Sequence, residues 1–175
     1  MLAATAFSTG SAKSIKNDPG QLIRDVEGVY KQTHHLGNVD GDRYDAEDVV
    51  EIVQDAPDRI YFRAELNFYN GHTCSINGIA ALKDDAFIYH APKDTDASDA
   101  PCTLAIRLTD KDLVLYDRAG ADSSSTCRDH CGMRGTLSGY TIPRNKKRVI
   151  KYMKKLLASD QYKQAVEEFG TLPKP

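Results

Sequence analysis

The segment Arg59–Tyr69, with the sequence RIYFRAELNFY, decides the fold class. One face carries Ile60, Phe62, Ala64, Leu66 and Phe68, and the other carries Tyr61, Arg63, Glu65, Asn67 and Tyr69. This period of two residues is typical of a β-strand with one buried face, because successive side chains of a strand point to opposite sides of the sheet. Turn sequences bound the segment on both sides, at Ala56-Pro57-Asp58 and at Asn70-Gly71. We therefore predict a strand that pairs with its neighbours as hairpins.

Seven further segments have the same short apolar pattern and are separated by turn residues. They are Glu27–His34, Val49–Gln54, Cys74–Leu82, Ala86–His90, Thr103–Thr109, Asp112–Asp117 and Arg134–Ile142. Consecutive strands joined by tight turns favour an antiparallel meander. We predict a mainly β domain over residues 18–142, with eight antiparallel strands forming a barrel-like or sandwich structure. Closure into a barrel would remove the exposed edges of an open sheet.

Residues 143–175 change to an apolar period of about 3.6 residues, which indicates helices. In Lys146–Ser159 the apolar face is Val149, Ile150, Met153, Leu156 and Leu157. We predict a helix here and a second helix over Gln161–Phe169, with Asp160 as its N-cap and Gly170 ending it. We expect both helices to pack on the β domain. We expect the cations of the first helix to be solvated, with a patch that binds anions or a partner as the alternative.

Composition gives the chain the character of a single folded domain. It has 175 residues, of which 41% are hydrophobic and 27% are charged, and its net charge is −2. This balance gives no indication of a nucleic-acid or membrane-surface partner. No apolar run approaches the roughly 20 residues of a membrane-spanning helix, so we predict no integral membrane segment. We expect residues 1–17 to be a secretory-signal remnant or a disordered tail.

The cysteines decide the expected compartment. The chain contains four of them, at Cys74, Cys102, Cys127 and Cys131. An even number fits a disulfide framework, for which three connectivities exist, and disulfides persist in secreted or periplasmic proteins. Zinc ligation together with His72 or His130 is an alternative, but the three residues between Cys127 and Cys131 differ from the usual C-x₂-C pairs. We predict two disulfides and a periplasmic or secreted protein, with zinc ligands and free thiols as alternatives.

Alternating strand directions would collect the unusual residues at one end of the domain. The long connectors Leu36–Asp48, Ala91–Pro101 and Arg118–Met133 all fall at this end, which we call the loop end. The four cysteines, His72, His130 and the His34-His35 pair fall there too. The opposite end has only tight turns. We expect function at the loop end, because rigid scaffolds commonly carry binding residues on their long loops.

The acidic residues of the first long connector raise the question of calcium. Asp40, Asp42 and Asp45 are spaced like oxygen ligands, but Arg43 occupies the position at which an EF-hand loop requires glycine. A solvated acidic loop is the expectation, and a calcium site of another type is the alternative. We predict no other cofactor.

We predict that the protein is not an enzyme. The sequence lacks G-x-S-x-G, P-loop, dinucleotide-binding and H-E-x-x-H motifs. His72 and Cys74 lie two residues apart, but a disulfide-bonded Cys74 could not act as a nucleophile. Gly28 and Tyr30 resemble the Gly-x-aromatic motif of lipocalin-like barrels, which implies a carrier of small hydrophobic ligands as an alternative. Because the predicted inner faces are rich in Leu, Ile and Phe, we expect a filled interior.

The region from Tyr61 to Ile142 resembles bacterial envelope proteins related to periplasmic lysozyme inhibitors. The stretches FYNGHTCSING (68–78) and CRDHCGMRGTLSGY (127–140) carry this resemblance. In such inhibitors a Ser-Gly element followed closely by Tyr lies on a loop and enters the lysozyme cleft, and some relatives are immunity proteins against cell-wall-degrading effectors. Here Tyr140 follows Gly139 directly, and we place Ser138–Tyr140 inside the eighth strand, away from the loop end. The resemblance implies binding without catalysis and a periplasmic location.

These observations predict an inhibitor or immunity protein whose partner is a secreted, lysozyme-like cell-wall hydrolase. The predicted partner-binding residues are Asp40, Asp42, Asp45, His72, Asp129, His130, Ser138 and Tyr140. The acidic loop would suit a basic target, because complementary charge raises the rate of encounter.

Overall fold

The computed structural model describes residues 18–92, 101–117 and 126–172, and these form nine antiparallel strands in a nearly closed barrel with helices at both chain ends. The elements are α1 (Pro19–Val26), β1 (Gly28–Gly37), β2 (Arg43–Ala56), β3 (Arg59–Asn67), β4 (Thr73–Lys83), β5 (Ala86–His90), β6 (Thr103–Leu108), β7 (Asp112–Tyr116), β8 (Tyr140–Pro143), β9 (Lys147–Arg148), α2 (Met153–Leu157) and α3 (Asp160–Thr171). The predicted fold class is confirmed. Our expectation for residues 1–17 lies outside the described residues.

The strands pair in chain order from β1 to β8, as the predicted meander requires. Their inward-facing side chains form one apolar cluster that fills the barrel. Fully buried members include Tyr30, Phe62, Leu66, Leu104, Ile106, Leu113 and Leu115. Helix α1 adds Ile23 and Val26 to this cluster and contacts β2 and β6. Each such side chain stabilises the fold by about 1.5–3 kcal/mol through its removal from water.

The last two strands close the barrel. β8 pairs with β7, and after a 3₁₀ turn at Arg144–Lys146 β9 pairs with β1 at Val29 and Tyr30. Two predictions were therefore wrong. The eighth strand begins at Tyr140 rather than Arg134, and Lys146–Ser159 contains β9 and the short α2 rather than one helix. The edge of β1 offers backbone hydrogen bonds to β9. These bonds favour a strand here over the helix that the local pattern predicts.

The first predicted long connector is much shorter than expected. β1 extends to Gly37 and β2 begins at Arg43, so residues 38–42 alone connect them. The predicted loop Leu36–Asp48 is wrong because Arg43, Asp45 and Glu47 occupy the solvent-facing positions of a strand. Alternate positions, among them Ala46 and Asp48, are buried.

The C-terminal segment covers the outer face of the barrel. Val29, Val53, Tyr61 and Ile79 pack there against Ile150, Leu156 and Ala165. The ring of Tyr162 on α3 lies edge-to-face on Tyr61, with 5.2 Å between ring centroids. Ser159, rather than Asp160, is the N-cap of α3, because its hydroxyl accepts the Tyr162 backbone N–H. Gly170 lies inside α3 instead of ending it. Helix α3 thus packs on the outer face of the barrel.

No helix within the described ranges combines the length and apolarity needed to cross a bilayer.

Removing Leu156 from this outer cluster should destabilise the protein. The side chain is buried, so Leu156→Ala should lower the free energy of unfolding by about 2–4 kcal/mol in urea denaturation. The neighbouring Lys155 is exposed, and Lys155→Ala should change stability by less than about 0.5 kcal/mol. Equal effects of the two substitutions would show that α2 is not packed on the barrel.

Candidate functional site

Two connections at the loop end are bonded to each other. The Tyr69 hydroxyl donates to the Asn38 carbonyl oxygen at 2.6 Å, and the Val39 N–H donates to the Asn70 side-chain oxygen at 3.3 Å. The Gly71 N–H donates to the hydroxyl of Tyr44 on β2 at 2.8 Å. The β1–β2 and β3–β4 connections therefore form one unit.

The segment before β8 is attached to this unit by a disulfide. Cys131 is bonded to Cys74 at the start of β4, and the adjacent Gly132 N–H donates to the Thr73 carbonyl oxygen at 2.8 Å. A second disulfide joins Cys102, next to β6, to Cys127. The predicted disulfides are confirmed, and since none of the cysteines is free, none can be a zinc ligand. Two disulfides fit an oxidising compartment outside the cytoplasm.

Glycines allow this segment to approach the barrel closely. A Cβ atom at Gly132 would lie 2.8 Å from the His72 ring nitrogen Nδ1, and one at Gly135 would lie 2.7 Å from the Cys74 sulfur. The Arg134 guanidinium lies over the Tyr69 ring, 5.4 Å from its centroid. Three segments are thus locked together: residues 38–42, 68–72 and 126–139.

These segments expose apolar side chains to solvent. Val39 is 65% exposed, Met133 is 79% exposed and Tyr69 is 41% exposed. Tyr and Met are enriched at protein interfaces, and exposed apolar side chains grouped on rigid loops are typical of a binding surface. None of these three residues is among the predicted partner-binding residues, although Met133 and Tyr69 lie inside the stretches that carry the resemblance.

The predicted polar residues of the site fall into two groups. Asp40, Asp42 and Asp129 are exposed at the loop end, and His72 and His130 are partly buried beside them. Burial lowers the pKa of the His130 imidazole, although a hydrogen bond with the Ser75 backbone and the charge of Asp129 act in the opposite direction. The neutral imidazole is therefore favoured.

The carboxylates proposed as calcium ligands do not share a centre. Asp45 lies in β2, where it contacts the ring of His35, and Asp42 accepts from the Asn38 amide at 3.1 Å. Within the described ranges, no three His, Cys, Asp or Glu side chains are grouped to hold a metal ion.

The hydroxyl groups of Ser138 and Tyr140 point into the protein rather than into solvent. The Tyr140 hydroxyl donates to the fully buried carboxylate of Asp48 and accepts from the Gln32 amide at 3.2 Å. The Ser138 hydroxyl is buried without a partner among the described residues. Our placement of Ser138–Tyr140 within the eighth strand was wrong for Ser138 and Gly139, which precede β8, whereas Tyr140 is the first residue of β8, at the loop end.

Asp48 is the centre of this buried polar cluster, and the sequence analysis missed it. Its second oxygen accepts the Asn67 backbone N–H at 2.6 Å, and the His34 Nδ1 atom lies 3.5 Å from the oxygen that Tyr140 contacts. The sequence signal for Asp48 was a carboxylate at an inward-facing strand position. In the β1–β2 ladder this position pairs with Gln32. Buried carboxylates need such donors, because an unpaired one is costly.

Comparison with known proteins assigns no relative to this arrangement. No family model, no curated protein and no solved structure matches this chain. The resemblance to lysozyme inhibitors stays a prediction, and functional inference depends on the contacts described above.

The disulfide connectivity can be tested directly. Peptide mapping without reduction should recover Cys74 linked to Cys131 and Cys102 linked to Cys127. Removing the first pair with Cys74→Ala/Cys131→Ala should lower the free energy of unfolding by about 2–4 kcal/mol, because it frees a chain segment between distant residues. The double variant should also be cleaved faster by protease within residues 127–139. Recovery of any other pairing would contradict this structure.

The cluster around Asp48 should behave as one unit. Tyr140→Phe and Asp48→Asn should each lower the free energy of unfolding by about 1–3 kcal/mol, since each removes a buried hydrogen-bond partner. The double variant should lose less than the sum of the two, because both substitutions break the same contact. Chemical denaturation of all four proteins gives the coupling energy. Strictly additive losses would mean that the two side chains do not interact.

Proposed function

We propose that this protein is an exported binding protein that inhibits a secreted cell-wall hydrolase of the lysozyme type through its loop end. The observation that carries the proposal is the rigid loop end itself. Three segments, held by a disulfide and by their own hydrogen bonds, present Val39, Tyr69 and Met133 to solvent. A preorganised surface loses little conformational entropy on binding, which favours tight inhibition.

Charge supports a basic partner. Asp40 and Asp42 are exposed on the 38–42 connection, which carries no cation, whereas the exposed Asp129 has Arg128 and Arg134 in its own segment. Acidic groups around an apolar centre accelerate encounter with a positively charged enzyme, and this effect weakens with salt. The two disulfides support a periplasmic or secreted location, in which such an enzyme acts.

The structure gives less support to the alternatives. Large side chains such as Tyr30, Phe62 and Leu115 occupy the barrel interior, which weighs against a carrier of small hydrophobic ligands. The cysteines are bonded to each other and cannot stabilise a zinc module. Inhibition by occupation of a cleft requires no catalytic residue, and we propose that the protein is not an enzyme.

Inhibition can be measured with the oxidised full-length protein. At micromolar concentration it should slow the digestion of purified cell walls by a muramidase or amidase. Met133→Ala should raise the inhibition constant about tenfold, because loss of a central interface side chain costs about 1–2 kcal/mol. Asp40→Asn/Asp42→Asn should slow association, and the effect should shrink at high salt.

The matched control changes the same charge at the opposite end of the barrel. Asp58 and Asp110 are exposed in the β2–β3 and β6–β7 turns, so Asp58→Asn/Asp110→Asn should leave inhibition unchanged. The proposal fails if no muramidase or amidase is inhibited at micromolar concentration. It also fails if the control variant and the loop-end variants weaken inhibition equally.

A further inference from the structure

Positive charge is concentrated in the chain around β9 and α2. Residues 144–155 contain seven cations, namely Arg144, Lys146, Lys147, Arg148, Lys151, Lys154 and Lys155. No acidic residue occurs between Asp129 and Asp160. The net charge of the whole protein is nevertheless −2, so the acidic residues are concentrated in other parts of the sequence.

Two of these cations have structural roles close to the barrel. The Lys147 ammonium donates to the Arg24 and Asp25 carbonyl oxygens, at 3.2 and 2.6 Å, in the last turn of α1. Arg144 donates to the Thr109 carbonyl oxygen at 3.4 Å. These contacts account for Lys147 and Arg144 but not for the other five cations.

The remaining cations form a surface that we call the basic face: Lys146, Arg148, Lys151, Lys154 and Lys155. All five are exposed, and none forms an ion pair within the described part of the chain. Arg148 donates only to backbone carbonyl oxygens of its own segment. Uncompensated positive charge of this density requires either solvent and counterions or an anionic partner.

Apolar side chains are exposed within the same segment. Val149 is 84% exposed although its pattern predicted an inward-facing position, and the ring of Tyr152 is 39% exposed while its hydroxyl contacts Glu51. Val149 directly follows Arg148, and Tyr152 directly follows Lys151. Lysines and arginines around an exposed aliphatic and a tyrosine are the side chains that peripheral proteins place at a lipid interface.

We propose that the basic face binds the anionic phospholipid headgroups of a membrane surface, with Val149 inserted between them. A bilayer is favoured over nucleic acid because the disulfides fit a compartment outside the cytoplasm. It is favoured over an acidic protein because the exposed Val149 matches the apolar layer beneath the headgroups. This surface is separate from the loop end and does not depend on the proposed inhibition.

Vesicle sedimentation tests the proposal with the oxidised full-length protein. The protein should bind phosphatidylcholine vesicles that contain about one-third phosphatidylglycerol and should not bind pure phosphatidylcholine vesicles. Lys151→Gln/Lys154→Gln should lower the partition coefficient about 25-fold, since each lysine near an anionic surface contributes about fivefold. Arg43 and Lys83 are exposed on other parts of the barrel, so Arg43→Gln/Lys83→Gln, with the same net charge, should change binding less than twofold.

Val149→Ser tests insertion separately from charge. It should weaken binding several-fold while the salt dependence stays that of the unsubstituted protein, because no charge is removed. All substituted residues are exposed, so the thermal unfolding midpoints should be unchanged. Equal binding to both kinds of vesicle, equal losses for the Lys151/Lys154 and Arg43/Lys83 variants, or binding to heparin without binding to vesicles would overturn the proposal.

Discussion

Closure of the barrel through β8 and β9 is the constraint on which the rest of the structure depends. A meander leaves unpaired backbone groups on its first and last strands, and such edges invite aggregation. The segment Tyr140–Arg148 pairs first with β7 and then with Val29 and Tyr30 of β1, so its nine residues cover part of both edges. Side chains join across the same seam, where Tyr140 contacts Gln32 on β1 and Asp48 on β2. A buried carboxylate with several donors makes this closure specific, because any shift in register would leave it unpaired.

The loop end inherits its rigidity from this closure. Residues 126–139 must return to the seam, and the Cys74–Cys131 disulfide fixes their path against the first residues of β4. Glycines at 132 and 135 let the backbone lie against His72 and Cys74, where a larger residue would clash. The exposed Met133 is therefore held on both sides by residues that cannot move independently. The CGMRG stretch (131–135) thus contains both the glycines that permit this close approach and the methionine that is exposed.

Local pattern predicted the elements whose partners are adjacent in the chain and failed where the partner is distant. The alternation in Arg59–Asn67 is sufficient, because both neighbouring strands follow short turns. Lys147–Arg148 has a helical pattern but pairs with β1, more than a hundred residues earlier. Asp48 is an inward-facing carboxylate in what looked like an acidic loop, and its donors come from β1, β3 and β8. The exposed residues at the loop end were missed for the same reason, since contacts between the loops decide which side chains remain outside.

Register places the loop end and the basic face far apart on one rigid body. β9 pairs with β1 at Val29 and Tyr30, whereas β1 reaches the loop end at Gly37. At a rise of about 3.3 Å per residue, the two surfaces are separated by roughly 20–25 Å along the strand. The barrel between the two surfaces is nearly closed and its interior is filled, so the distance between them is fixed. A partner at the loop end would therefore stand clear of any surface that the basic face contacts, and neither contact would obstruct the other.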